Sequence, residues 1–163
     1  MKKEFWITLL LGLTIVIAPP LMAGQSWAET ALSGTPNSSA QVQTVVPDDV
    51  QWTSSDIAGV ESAVALGDLS SSALYVLFGK MDNGTVFPSH THPDARITTV
   101  ISGMMYYGVG EQFDRTKTKL YPAGSVVYTP AGTPHFMYVQ DDETVMQETG
   151  FGPTGITFTT NGE

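Results

Sequence analysis

From about position 48 onward the chain is a series of short apolar runs, each broken by Gly, Pro, Asp or Asn. The runs are rich in Val, Ile, Thr, Tyr and Phe, the residues that fit a pleated, half-buried surface. No long stretch carries a 3.6-residue apolar period. Strands are predicted over 50–53, 61–66, 73–81, 85–89, 97–101, 104–109, 117–121, 125–129, 135–140, 144–151 and 156–159. Asp82-Asn83-Gly84 and Ser102-Gly103 supply turn chemistry between them. One short turn of helix fits near 111–115. Many short strands at regular spacing predict an all-β fold, an antiparallel sandwich or barrel.

The beginning of the chain has a different pattern. Lys2 and Lys3 precede an apolar stretch over 5–18, which Pro19 and Pro20 end. That stretch is shorter than the ~20 residues a membrane-spanning helix needs. Ser26-Trp27-Ala28 places small residues at the two positions a signal peptidase reads. Residues 1–28 therefore read as a secretory signal cleaved after Ala28, with a weaker site after Ala23. An uncleaved N-terminal anchor is the alternative. Cleavage leaves no stable membrane anchor and, in a bacterium, a periplasmic or secreted protein. Residues 29–46 are rich in Ser, Thr, Gly, Pro and Gln and read as a flexible leader. Residues 47–163 are expected to form one domain.

Charge and composition exclude several function classes. Seven Lys and Arg against 16 Asp and Glu give a net charge of −9. An acidic chain with no basic cluster argues against nucleic acid as a partner. The absence of cysteine excludes disulfides, thiolate nucleophiles and zinc–thiolate sites. No G-x-S-x-G elbow, P-loop or dinucleotide fingerprint is present, and Gly108-Val109-Gly110 is followed by no helix that would make it a phosphate loop.

All three histidines of the chain stand out. His90 and His92 are one residue apart, so on one strand their side chains share a face. His135 follows in TPAGTPHFMY. Gly84 is followed after five residues by His90, then His92, then Arg96 after three more and Gly103 after a further six. Gly124 is followed after five residues by Pro130, then Gly132, then His135 after two more. These spacings closely resemble the two signature motifs of the cupin superfamily, G-x5-H-x-H-x3–4-E-x6-G and G-x5-P-x-G-x2-H-x3-N. The resemblance covers residues 84–139 and extends in general wording to small single-domain exported cupins. It implies a single-domain cupin, a jelly-roll-like antiparallel β-barrel, with His90, His92 and His135 as metal ligands. Two positions depart from the pattern: Arg96 stands where the family has its glutamate ligand, and Val139 where it has Asn.

Three neutral imidazoles from neighbouring strands form a facial site with open positions, the arrangement of catalytic rather than structural metals. Imidazole suits several divalent ions, so Fe, Zn, Mn and Cu all remain open. The alternative is three inward-facing core histidines in a barrel that has lost its metal. Strand parity places Arg96 on the same face as His90 and His92. It either pairs internally, with Asp94 or Glu148, or receives an anionic substrate. In TVMQETGF, Gln147 shares a face with Val145 and Thr149, while Met146 and Glu148 share the other. If the first face lines the pocket, Gln147 can hold a metal-bound water. If the second does, Glu148 can replace the missing carboxylate.

These readings favour a metalloenzyme acting on a small molecule in the barrel mouth through a three-histidine centre. Iron would imply dioxygenase-type chemistry, and zinc or manganese a Lewis-acid isomerase or lyase. The alternative is a non-catalytic exported protein that binds a metal or small ligand. Residues 50–53, with Trp52, either exchange to form a homodimer or cap their own barrel.

Overall fold

The computed structural model describes residues 41–159. The predicted signal, most of the predicted leader and the last four residues lie outside them. Residues 41–46 are exposed and carry no regular structure, and Pro47–Asp49 forms one turn of 3-10 helix. Eleven strands follow. They are β1 (Thr53–Ser54), β2 (Val60–Leu66), β3 (Leu74–Met81), β4 (Val86–Thr91), β5 (Arg96–Ser102) and β6 (Met104–Val109), then β7 (Thr118–Pro122), β8 (Val126–Thr129), β9 (His135–Tyr138), β10 (Thr144–Phe151) and β11 (Thr157–Phe158).

All pairings are antiparallel and fall into two sheets. One has the order β1-β2-β3-β10-β5-β8 and the other β11-β4-β9-β6-β7. From β3 onward the chain crosses between them at every connection except β6 to β7. The sheets remain separate ladders and do not close into the expected barrel. Prolines help to stop the ladders at their ends: Pro122 ends β7 and Pro130 follows β8, and neither has an N–H with which to continue pairing.

The glycines of the two motifs sit at the corners where the chain changes sheet. Gly103, between β5 and β6, has φ +76°, a conformation that L side chains rarely adopt. The Ser102-Gly103 turn is therefore a crossing between sheets rather than a hairpin within one. A Cβ at this position would lie 2.5 Å from the Glu143 carbonyl oxygen and 2.5 Å from Thr144 Oγ1. That hydroxyl bridges the corner, accepting from Met104 N at 3.1 Å and donating to Met104 O at 3.0 Å. Gly103→Ala is expected to cost at least about 1–2 kcal/mol from left-handed backbone strain alone, before the clash is counted. Urea denaturation measures this, and a loss below about 0.5 kcal/mol, the range of neutral surface changes, would contradict it.

The core lies between the sheets. Val60, Met81, Val100 and Met146 project from one, and Met105, Tyr107 and Met137 from the other. Strand β5 shows the expected alternation: Arg96, Thr98 and Val100 are buried while Ile97 and Ile101 are exposed. The predicted strand at 50–53 is largely absent. Only Thr53 and Ser54 pair with β2. Trp52 packs on the outer face of its own sheet, 6.5 Å from the Phe78 ring and 4.7 Å beneath Lys80 Nζ. The helical turn expected at 111–115 instead spans Arg115–Lys117, because the Asp114 side chain accepts from Thr116 N at 2.9 Å and starts it there.

Candidate metal centre

Strands β4 and β9 bring the histidines together. His90 and His135 are direct cross-strand partners, and their ring centroids are 4.2 Å apart. The register shifts between Phe87 and His90, a bulge at Pro88, which cannot donate to the ladder. His92 lies just beyond the end of β4, 4.8 Å from His90 and 5.3 Å from His135 between ring centroids. The three ligand atoms lie within 4.8 Å of one another, and all three residues are buried.

Each ring is oriented by a backbone carbonyl. Nδ1 of His90 donates to Pro88 O at 2.8 Å, that of His135 to Thr133 O at 2.9 Å, and that of His92 to Gly155 O at 2.7 Å. A carbonyl only accepts, so each Nδ1 carries the hydrogen. In the neutral ring this leaves Nε2 with its lone pair free, the form that binds a metal. His92 Nε2 is buried with no hydrogen-bond partner.

Electrostatics hold the rings neutral. Burial, followed by the neighbouring His135 charge, lowers His90 from 6.5 to about 3. Burial and then Arg96 lower His92 to about 4. Burial likewise lowers His135. Three neutral imidazoles with free Nε2 atoms, one of them an orphan, fit a divalent ion.

Arg96 faces the histidines from the opposite wall. The parity expectation treated it as part of the histidine strand. In fact the chain turns at Pro93 and Asp94, and Arg96 opens β5 in the other sheet. Its Nη1 donates to Glu148 Oε2 at 2.8 Å, and its Nη2 to Asp94 Oδ1 at 2.8 Å and to Thr154 Oγ1 at 2.5 Å. Thr154 donates in turn to Asp94 Oδ1, and Tyr75 donates to Asp94 Oδ2 at 2.5 Å. Burial by itself would raise Asp94, but hydrogen bonds from Thr154, Tyr75 and Arg96 outweigh it and hold the carboxyl below its usual range. Burial and the bond to Asp94 push Tyr75 up to about 12. Of the two roles open to Arg96, the geometry has the internal pairing, with both acids together.

Of the two faces of β10 left open by parity, the cavity takes the one with Met146 and Glu148. In β10 the buried positions are Thr144, Met146, Glu148 and Gly150. Gln147 lies on the opposite face, where its amide donates to Thr149 Oγ1 at 3.2 Å. It does not line the cavity and cannot hold a water there. Glu148 lines the cavity but is engaged by Arg96 and is not part of the ligand cluster. Gly150, opposite Arg96 in the sheet, leaves room for the network, since a Cβ there would lie 2.6 Å from Tyr75 Oη and 2.7 Å from Asp94 Oδ2. Sequence reasoning did not anticipate Tyr75, Thr154 or the Gly155 carbonyl.

A cavity of about 420 Å³ opens beside the histidines. Its walls are largely apolar, with Leu77, Met81, Phe87, Met137 and Met146 among them, and His90, His92, Arg96 and Glu148 supply polar groups.

Residues 77–147 match the family model described as Cupin domain. No curated protein matches the sequence. Among solved structures, the polyketide cyclase RemF from Streptomyces resistomycificus is similar at a TM-score of 0.61 and 14% identity, over 75% of this chain and 89% of that one. KdgF from Halomonas sp. is similar at 0.55 and 16%, over 69% of this chain and 96% of that one. The DMSP lyase DddQ from Ruegeria pomeroyi DSS-3 is similar at 0.57 and 18%, over 69% of this chain but only 62% of that one. At such identities the likeness carries the fold and no more. Two facing antiparallel sheets, with the chain winding between them around a buried three-histidine cluster, define the class as a double-stranded β-helix protein. The match makes residues 77–147 a cupin domain, and the fold of the described residues agrees with it.

Proposed function

We propose that His90, His92 and His135 hold one divalent metal ion, and that the protein is an enzyme acting on a small organic molecule in the adjoining cavity. The observation that carries this reading is the tautomer. Three Nδ1–H groups are committed to backbone carbonyls, so each ring offers Nε2, and the three ligand atoms lie within 4.8 Å of one another. A bound ion would supply dioxygen activation if it is iron, or Lewis-acid polarisation if it is zinc or manganese. The chain's own contribution is to orient the rings, to exclude water with apolar walls and to place Glu148 at the cavity wall. Solved structures of similar fold include a lyase and a polyketide cyclase, which supports small-molecule chemistry in a cavity of this kind.

A non-catalytic exported protein that binds a metal or small ligand is the second reading. One observation favours it: Arg96 and Asp94 are closed into an ion-pair network and offer little to a substrate. The test is metal analysis of the purified protein, followed by turnover and O2-consumption assays with small diketones, phenols and carboxylic acids. About one ion per chain with turnover is the expected result. A metal-loaded protein with no turnover supports the binding protein, and a chain with no affinity for Fe, Zn, Mn or Cu overturns the metal-centred form of both readings.

A further inference from the structure

The polar groups of the cavity are not equally available to a ligand. Both oxygens of Asp94 are occupied, Oδ1 by Arg96 and Thr154 and Oδ2 by Tyr75. Both terminal nitrogens of Arg96 are spent on acids and Thr154; its Nε has no partner but is buried from solvent. The Arg96 side chain is 3% exposed, against 12% for that of Glu148. Glu148 Oε2 takes the bond from Arg96, whereas Oε1 has only Thr98 Oγ1 at 3.5 Å, at the limit of hydrogen bonding. Apart from the imidazole Nε2 atoms and the buried Arg96 Nε, Oε1 is the under-committed polar atom of this network, and it is an acceptor. The network also carries two carboxylates against one guanidinium.

We infer that the cavity selects an uncharged, mainly apolar molecule bearing a hydroxyl, of the phenol or enol class, whose O–H donates to Glu148. A carboxylate ligand would bring acceptors to an acceptor and negative charge to a carboxylate, while the terminal nitrogens of Arg96 and the ammonium of Lys80 are already paired with acids. A hydroxyl pairs Glu148 Oε1. The rest of such a molecule meets Met81, Met137 and Met146, whose thioethers adapt to and favour aromatic faces. The volume of about 420 Å³ is in the range of small-ligand sites. This inference rests on the same cavity being the ligand site proposed above, but not on the ion.

The test compares 4-propylphenol with 4-propylbenzoate by calorimetric titration of the full chain, with zinc(II) and after chelation, zinc content being measured first. In the wild type after chelation, with no cation to draw the carboxylate, the phenol is expected to bind at least about tenfold tighter than the benzoate, the scale of one hydrogen bond to a charged group. Glu148→Gln keeps an acceptor for Arg96 but can turn an amide N–H toward the cavity. It should lower phenol affinity about tenfold and erase the preference. Equal or tighter benzoate binding after chelation, no binding of either probe, or an unchanged preference in E148Q would overturn the inference. The wild-type comparison stands even if E148Q does not fold. Zinc retained without a phenol preference overturns this inference and spares the metal centre; a phenol preference without zinc retention does the reverse.

Discussion

His135→Ala is expected to abolish metal binding while leaving the sheets intact. The substitution removes one of three ligands from a site with no carboxylate to take its place, because Glu148 is held by Arg96. Loss of an outer-shell partner of a metal ligand typically costs about 10–100-fold in affinity, so loss of a ligand here should exceed the upper end of that range. His135 pairs with His90 across β4 and β9, and its ring stacks against Tyr107 at 5.3 Å between centroids. Alanine leaves a small cavity beside Tyr107 but no unpaired charge, since the imidazole is held neutral. Zinc titration with a competing chelator measures the effect, and circular dichroism checks the fold. Affinity within threefold of wild type would mean that His135 is not a ligand.

The second large effect concerns Arg96→Met. This change leaves two buried carboxylates, Asp94 and Glu148, without their cation. Their side chains are 5% and 12% exposed, so solvent screens them little. Removing one member of a buried ion-pair group costs about 3–5 kcal/mol, mostly from the charges left behind. Equilibrium denaturation of the metal-free protein isolates this effect from any change in metal binding, and a loss under about 1 kcal/mol would show the network to be dispensable. Glutamate at position 96 would set a third acid beside the other two, on the wall that faces the histidines.

The histidine cluster was legible because motif spacing fixes it. The glycines mark corners, and the corners fix which strands face each other. The role of Arg96 was only half legible. Its acid partners could be named, but Tyr75 meets Asp94 across 19 positions of sequence and Thr154 meets Arg96 across 58. No local pattern signals either contact. The same is true of Gly155, whose carbonyl orients His92 from 63 positions away. The face of Gln147 was left open for a different reason. Both faces of β10 mix apolar and polar residues, so alternation does not choose between them. What settles the face is the pairing of β10 with β5, which sets Glu148 beside Thr98 and Gly150 beside Arg96. That register includes a shift between Val145 and Met146, a bulge that the residue types do not announce.

Arg96 thus serves the fold and the site together. It ties the Asp94 corner to β10 and to Thr154, the residue before the His92 acceptor Gly155. A cation whose terminal nitrogens are held by acids and Thr154 leaves the histidine cluster beside it neutral and free to bind. The most direct check is anomalous diffraction from crystals of the zinc-loaded protein. One peak is predicted, about 2.0–2.1 Å from Nε2 of each of His90, His92 and His135, with no carboxylate at bonding distance. The absence of a peak there, or a peak bonded to Asp94 or Glu148, would contradict the account.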